Sequence, residues 1–172
     1  MVSHKYLYHT SLPRSFPRSL HTAFFLAGLL LSGCSRLQTL TPETLNAARQ
    51  KWQSSRPGFY RLVLEMGGDR VEPGRFEVTV QGEEVVSLRR NGQVILPGRG
   101  LDYSMDGLFR LLIQEIDLAG KPALLGAPEG YSVYPMARFD AEDGRLIRYR
   151  RTVGGAKNSI DINVTGFEVL QH

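Results

Sequence analysis

Cysteine and histidine are scarce in this chain of 172 residues. It has one cysteine, Cys34, and four histidines, of which three lie within the first 21 residues and the fourth is the last residue. A single cysteine forms no internal disulfide, and a zinc or iron–sulfur site built from thiolates needs several. Histidines confined to the two ends of the chain argue against a mechanism that depends on a buried imidazole.

Long hydrophobic runs are also missing. The most apolar stretch, residues 23–31, has nine residues, whereas a membrane-spanning helix needs about 20. Residues 1–33 carry three basic side chains and no acidic one. A basic flank followed by an apolar run of this length is typical of a secretory signal peptide. The sequence therefore predicts export across a membrane and removal of residues 1–33.

Four residues at the end of the apolar run carry a more specific signal: Leu31, Ser32, Gly33 and Cys34. They resemble the lipobox of bacterial lipoproteins, in which a branched apolar residue and two small residues precede an invariant cysteine. The resemblance implies that the thiol of Cys34 receives a diacylglycerol and that a peptidase cuts after Gly33. The alternative is an ordinary signal peptide with a cysteine near the cut by chance.

The residue after the cysteine indicates where such a lipoprotein is placed. In Gram-negative lipoproteins an aspartate at this position implies retention in the inner membrane, and here the residue is Ser35. The resemblance thus implies a lipid anchor in the outer membrane, facing the periplasm. In a Gram-positive source it implies the outer leaflet of the single membrane. One acyl chain holds a protein only marginally, but two or three together make its release negligible.

Net charge gives little reason to expect a nucleic acid partner. The chain has 21 basic and 17 acidic side chains, but three of the basic ones belong to residues 1–33. The remaining 139 residues carry a formal charge of +1. We therefore expect no nucleic acid partner. The lipobox resemblance implies instead a membrane contact through the N-terminal lipid and an envelope protein or lipid as partner.

One α+β domain is predicted for residues 41–172, after a short acylated tether at residues 34–40. Capping residues and apolar residues at helical spacing predict two helices, one from Thr41 to residue 55 and one from Ser104 to residue 119. Alternating apolar residues predict strands at 59–66, 75–81, 84–90, 93–96, 132–139, 145–153 and 159–170. This order, α-β4-α-β3, favours an antiparallel sheet of about seven strands with two helices packed on one face.

Several short sequence patterns predict local features of the structure. Asn91 and Gly92 predict a tight hairpin, because both positions tolerate positive φ. Gly166 predicts a bulge in the last strand, and Pro135 predicts an edge or a strand entry. On the second helix, Asp106 lies four residues before Arg110, so the two side chains are expected to pair.

The acidic residues offer weak candidates for chemistry. Asp140, Glu142 and Asp143 precede Gly144, but a calcium loop needs a closing glutamate about six residues after its glycine, and position 150 is an arginine. An acidic hairpin tip is therefore the favoured interpretation. Four further carboxylates could pair for glycoside hydrolysis but lack a recognisable context: Asp102, Asp106, Glu115 and Asp117. The sequence predicts no catalytic residue, no metal site, no cofactor and no enzymatic activity.

One dense basic run stands out near the C-terminus. Alternation places Arg148 and Arg150 on the strand face opposite Ile147 and Tyr149. Such a pair could contact lipid phosphates or an acidic partner. The alternative is an ordinary solvated strand face neutralised by nearby carboxylates. The whole run comprises Arg138, Arg145, Arg148, Arg150 and Arg151.

The mature part of the chain resembles a bacterial lipoprotein family, domain-of-unknown-function family 6174. The residues that carry the resemblance are Trp52, Tyr60 and Arg61, the run from Asp106 through Gly107 and Leu108 to Phe109, and Phe139 with Asp140. The paired cysteines that some members have after the first strand are not found in residues 65–70. The resemblance implies an uncharacterised envelope lipoprotein and brings no known activity.

Two functions are compatible with these patterns. The first is a non-enzymatic interaction or structural module anchored in the envelope. The alternative is a carrier of acyl chains or lipoproteins, because lipoprotein carriers of the outer-membrane sorting pathway are also antiparallel half-barrels capped by helices. The side chains that could line such a hollow, or fill an ordinary core, are Leu62, Leu64, Val78, Val80, Ile147 and Ile162. Five aromatic residues are expected in the core: Trp52, Phe59, Tyr60, Phe76 and Phe109.

Overall fold

The computed structural model describes residues 36–69, 71–96 and 102–171, which form two α-helices and eight strands. These residues belong to one compact unit. In chain order the elements are β1 (Gln38–Thr39), α1 (Pro42–Ser55), β2 (Phe59–Gly67), β3 (Gly74–Gln81), β4 (Glu84–Arg90), β5 (Gln93–Val94), α2 (Met105–Ala119), a short 3₁₀ helix (Pro122–Leu125), β6 (Val133–Phe139), β7 (Leu146–Val153) and β8 (Ile160–Val169).

The strands form one antiparallel sheet in the order β1-β6-β7-β8-β2-β3-β4-β5. It consists of two meanders that join where β8 pairs with β2. The predicted α+β class with one antiparallel sheet is confirmed. The sheet has eight strands rather than about seven, because Gln38 and Thr39 pair with Ala137 and Met136 of β6. The sheet therefore includes the end of the segment that the sequence predicts as a tether.

The signals at Asn91, Gly92 and Gly166 are confirmed. Asn91 and Gly92 have φ values of 51° and 82° and close the hairpin between β4 and β5. Val63 lies opposite Gly166 and its neighbour Leu64 lies opposite Val164, so Thr165 is an extra residue in β8. This is the bulge expected at Gly166.

The start of α1 follows from its capping residues. The hydroxyl of Thr41 accepts a hydrogen bond from the backbone N–H of Thr44, and the Thr44 hydroxyl accepts one from the N–H of Thr41. Pro42 occupies the first turn, where a missing N–H costs nothing. The predicted apolar stripe is confirmed, since Leu45 and Trp52 are buried together with the alanine between them.

The second helix begins as predicted but pairs its charges differently. The Ser104 hydroxyl accepts a hydrogen bond from the N–H of Gly107. The expected pair between Asp106 and Arg110 is wrong. Arg110 donates to Asp102, 2.6 Å away, and Asp106 accepts from Arg56 at the end of α1, 3.0 Å away. Contacts with two residues outside the helix, Asp102 and Arg56, thus replace the expected contact within it.

The main core is a cluster of buried apolar side chains from both helices and most strands. A second, smaller cluster contains Leu125, Val133 and Val153. The rings of Trp52 and Tyr60 meet edge to face, 5.5 Å apart, and Phe109 stacks on Phe139, 6.0 Å apart. Burial of each large apolar side chain stabilises the fold by roughly 1.5–3 kcal/mol. Of the five aromatic residues expected in the core, Phe59 is half-buried and the other four are buried.

One strand departs from simple alternation. The register between β6 and β7 shifts so that Arg138 lies opposite Arg148 while Phe139 lies opposite Leu146. Ile147 is therefore the extra residue of a bulge. Leu146 occupies the core position that alternation assigns to Ile147, which is only half-buried. The expectation that Ile147 shares the inner face with Tyr149 is wrong for this reason.

In the part of the chain that the structure describes, none of the helices combines the length and the apolar character needed to cross a membrane. The predicted signal peptide and the lipobox with Cys34 lie outside the described residues, as does Ser35.

Candidate functional site: the arginine pair on the outer face of the sheet

Arg148 and Arg150 of β7 share one carboxylate on the neighbouring strand. In the register of β7 and β8, Arg150 lies opposite Asp161. Arg148 donates to both oxygens of Asp161, from Nε to Oδ1 over 3.2 Å and from Nη2 to Oδ2 over 2.9 Å. Arg150 donates from Nε and Nη2 to Oδ2, over 2.9 and 2.6 Å. The structure therefore brings together the two arginines that the sequence singles out.

The shared contact leaves one positive charge. Two guanidinium groups face one carboxylate, and the side chains of Arg148 and Arg150 are 36% and 46% exposed. Burial alone would raise the pKa of Asp161, but the hydrogen bonds from the two arginines outweigh it and hold this pKa below its usual value. The carboxylate is therefore ionised at neutral pH and fixes both arginines in place.

The other arginines of the basic run lie in different surroundings. Arg145 pairs with Asp140 and Asp143, and its guanidinium lies 5.1 Å from the centre of the Phe167 ring. Arg151 is buried. Arg138 lies directly opposite Arg148 on β6. The five arginines of the run therefore do not form one surface, and only Arg148 and Arg150 share Asp161.

The acidic residues before Gly144 stabilise a turn. Asp140 Oδ1 accepts hydrogen bonds from the backbone N–H groups of Glu142 and Asp143, over 2.9 and 3.3 Å. The same carboxylates pair with Arg145, which supports the interpretation as an acidic hairpin tip. Across the described residues, no three Asp, Glu, His or Cys side chains lie close enough to hold a metal ion.

The carboxylates considered for hydrolysis are dispersed among separate contacts. Asp102 accepts from the Ser104 hydroxyl and pairs with Arg110. Asp106 pairs with Arg56, while Asp117 is exposed on α2. Asp102 and Asp106 therefore stabilise the start of α2, and Asp117 is a surface residue. Glu115 has a different role.

Glu115 belongs to a buried polar network that the sequence analysis missed. It accepts from the Tyr149 hydroxyl over 2.7 Å and from Arg151 Nη1 over 2.9 and 2.8 Å. Arg151 Nη2 also donates to Asn158, 2.7 Å away, which in turn donates to the carbonyl of Leu125 over 2.8 Å. Burial, followed by the charge and the hydrogen bond of Glu115, raises the pKa of Tyr149. The network connects α2, the 3₁₀ helix, β7 and the segment before β8.

A signal for this network is present in the sequence. Glu115 follows Leu108 and Leu112 on the apolar stripe of α2, and Arg151 alternates with Tyr149 and Val153 on β7. A charged residue at a predicted core position of two different elements indicates a buried ion pair, because a lone buried charge is very unfavourable.

A groove lies beside the arginine pair, between the ends of several strands. Its volume is about 550 Å³. Arg148 and Asp161 form one side, and Glu65, Arg75 and Asn91 contribute further polar groups. Guanidinium, amide and carboxylate groups in an open groove form reversible hydrogen bonds with a charged ligand or surface. The complete lining is Glu65, Met66, Gly67, Pro73, Gly74, Arg75, Asn91, Arg148, Asp161 and Asn163.

The side chains proposed to line an acyl-chain hollow lie mostly in the core. Five of the six are at most 1% exposed and belong to the main cluster, packed with residues of both helices. Ile147 lies at the bulge described above. The five buried residues are Leu62, Leu64, Val78, Val80 and Ile162.

Comparison with known proteins identifies no relative of this chain. No protein-family model matches the chain, and no curated protein is significantly similar to it. The resemblance to family 6174 therefore stays a prediction. Four of its aromatic residues form two ring pairs in the core, Trp52 with Tyr60 and Phe109 with Phe139, which gives these positions a packing role.

Proposed function

We propose that this chain is a bacterial envelope lipoprotein that works as a non-enzymatic interaction or structural module. Residues 1–33 are removed as a signal peptide, and Cys34 is acylated. By the lipobox resemblance, with Ser35 after the cysteine, the protein is held on the outer membrane and faces the periplasm.

The observation that carries this proposal is the short sequence distance between Cys34 and the first strand of the folded domain. Cys34 follows a basic and then an apolar segment, and β1 begins only four residues later at Gln38. Four extended residues span at most about 14 Å. A lipid on Cys34 therefore keeps the whole domain close to the membrane surface, where a module for contact with other envelope components is useful.

We infer that both helices cover the same face of the sheet. Trp52 of α1 packs edge to face on Tyr60 of β2, and the backbone N–H of Met105 at the start of α2 donates to the Tyr60 hydroxyl. The opposite face then carries the polar residues of the strands. The arginine pair on this outer face is the part of the domain best suited to contact an acidic partner.

Mass spectrometry of protein extracted from membranes tests the anchor. We expect an N-terminal peptide that begins at an acylated Cys34. Cys34→Ala is expected to leave the product uncut or soluble. A matched control is Ser32→Ala, which keeps a small residue before the cut and is expected to be processed normally. Native protein in the cytosol with its leader attached and a free thiol would contradict the proposal.

A further inference from the structure

We propose that the sheet docks against the anionic phospholipid surface to which the protein is tethered, through an arginine patch formed by Arg148 and Arg150. This inference rests on the proposed lipid anchor and specifies what the domain contacts. The partner chemistry is the phosphate of an anionic lipid headgroup, such as phosphatidylglycerol.

The direction of the chain at β1 places the tether beside this patch. Gln38 pairs with Ala137 and Thr39 with Met136, in antiparallel register. The residues before Gln38 therefore run toward Arg138 rather than away from it. Arg36, which is exposed, is two residues from the lipid attachment position. The chain that follows the lipidated cysteine therefore joins the sheet beside the end of β6 that carries Arg138.

The arginine pair is within reach of the same membrane. Arg148 lies directly opposite Arg138 on the adjacent strand, and β7 is two strands from β1, a distance of about 10 Å. The tether from Cys34 to Gln38 spans at most about 14 Å. An extended tether is therefore long enough to cover the separation between β1 and β7.

The charge and donor geometry of the patch suit phosphate. Arg148 and Arg150 use Nε and Nη2 to hold Asp161, and the Nη1 group of each makes no hydrogen bond with that carboxylate. Arginine binds phosphate through its planar set of donors. The pair carries a net positive charge because it shares one acid.

Site-specific fluorescence quenching tests the docking with the mature acylated protein in vesicles. One label is placed at Thr152→Cys, which is exposed on β7 two residues from Arg150. The control label is at Ser87→Cys, which is exposed on β4, four strands away. Vesicles contain a lipid with a nitroxide on its headgroup, with or without phosphatidylglycerol. Flotation measures anchoring in the same samples.

We expect quenching at position 152 to be at least twice that at position 87 when phosphatidylglycerol is present. The difference should fall in its absence and at high salt, because the contact is electrostatic. A triple variant with Arg148→Gln, Arg150→Gln and Asp161→Asn removes all three charges together. It should abolish the difference in quenching between positions 152 and 87. Asp161→Asn alone leaves both arginines charged and should increase it.

Equal quenching at both positions in protein that floats with the vesicles would overturn the docking and leave the anchor intact. Protein that does not float would contradict the anchor and the docking together. A difference in quenching that depends neither on phosphatidylglycerol nor on the charge changes would also overturn the assignment to lipid. Cross-linking from position 152 to an acidic envelope protein in intact cells, without lipid-dependent quenching, would reassign the patch to that protein.

Discussion

Glu115 and Arg151 form an ion pair in which the two side chains are only 4% and 5% exposed, with 2.8 Å between Oε2 and Nη1. Glu115 comes from α2 and Arg151 from β7, so the pair joins the helix to the sheet. Two charges removed from water are tolerated only when they are paired and hydrogen-bonded. Tyr149 and Asn158 supply the additional bonds here. The pair therefore specifies how α2 sits on β7.

We predict that the loss of one partner of this pair destabilises the protein far more than the loss of both. Arg151→Met leaves the charge of Glu115 buried and should lower the free energy of unfolding by about 3–5 kcal/mol. Glu115→Gln with Arg151→Met removes both charges and should cost less than the single change. Urea unfolding of the three proteins measures these differences. A single change that costs less than the double change would contradict the role of the pair.

Alkaline pH should destabilise the protein through buried tyrosines. Burial is the main cause that raises the pKa of Tyr60, to about 12, whereas an unfolded tyrosine has a pKa of about 10. The folded state therefore holds this proton more tightly than the unfolded state. The stability due to Tyr60 is complete below pH 10 and is lost as the pH rises toward 12, by about 1.4 kcal/mol per pH unit.

Unfolding by urea between pH 8 and 11.5 measures this loss, and Tyr60→Phe is the control. Phenylalanine fills the same space but has no ionisable group, so the variant should show a shallower decline above pH 10. Tyr149, whose pKa burial also raises, should contribute a second part of the slope in both proteins. Identical slopes for the two proteins would contradict the assignment to Tyr60.

Elements and caps could be predicted from the sequence because they depend on neighbouring residues. Thr41, Ser104 and the turn at Asn91 act through contacts within four positions of the chain. Long-range pairings could not be predicted, since alternation assigns a residue to a face but leaves the register open. The contact of Asp161 with both arginines depends on the pairing of β7 with β8, and the ion pair of Asp106 with Arg56 spans 50 residues.

The bulge at Ile147 shows the same limit in one strand. Period-two alternation predicts that Ile147 and Tyr149 share one face of the sheet. One extra residue in β7 moves the side chains that precede it to the opposite face. Leu146 and Tyr149, three residues apart, are both buried as a result. Nothing local to Ile147 marks the bulge, whereas Gly166 does mark the one in β8.

Gly144 should tolerate substitution much less well than Gly82. Its φ is +75°, and a Cβ added there would collide with the backbone carbonyl of Ala48 in α1. Gly82 has a similar φ of +62°, but within the described residues its Cβ would meet open space. Gly82→Ala should therefore cost roughly 1–2 kcal/mol from backbone conformation alone. Gly144→Ala should cost clearly more, because the hairpin between β6 and β7 must also move away from α1.

Thermal unfolding of the two alanine variants compares these sites. The collision at Gly144 involves backbone atoms, which relax less easily than a flexible side chain. Equal losses of stability at Gly82 and Gly144 would mean that the hairpin tip is not held against α1. The hydrogen bond from Lys51 Nζ to the carbonyl of Ala141, 3.0 Å long, supports the opposite expectation.

The residue after the lipidated cysteine should decide which membrane holds the protein. In a Gram-negative host, Ser35→Asp is expected to move the acylated protein from the outer to the inner membrane, because aspartate at this position resembles the retention signal. Ser35→Thr is the control and should leave the distribution unchanged, since it keeps a neutral hydroxyl. Density-gradient separation of the two membranes, with mass spectrometry of the N-terminal peptide, measures location and acylation together. The same distribution for both variants, with Cys34 acylated, would contradict sorting by Ser35 while leaving the anchor in place.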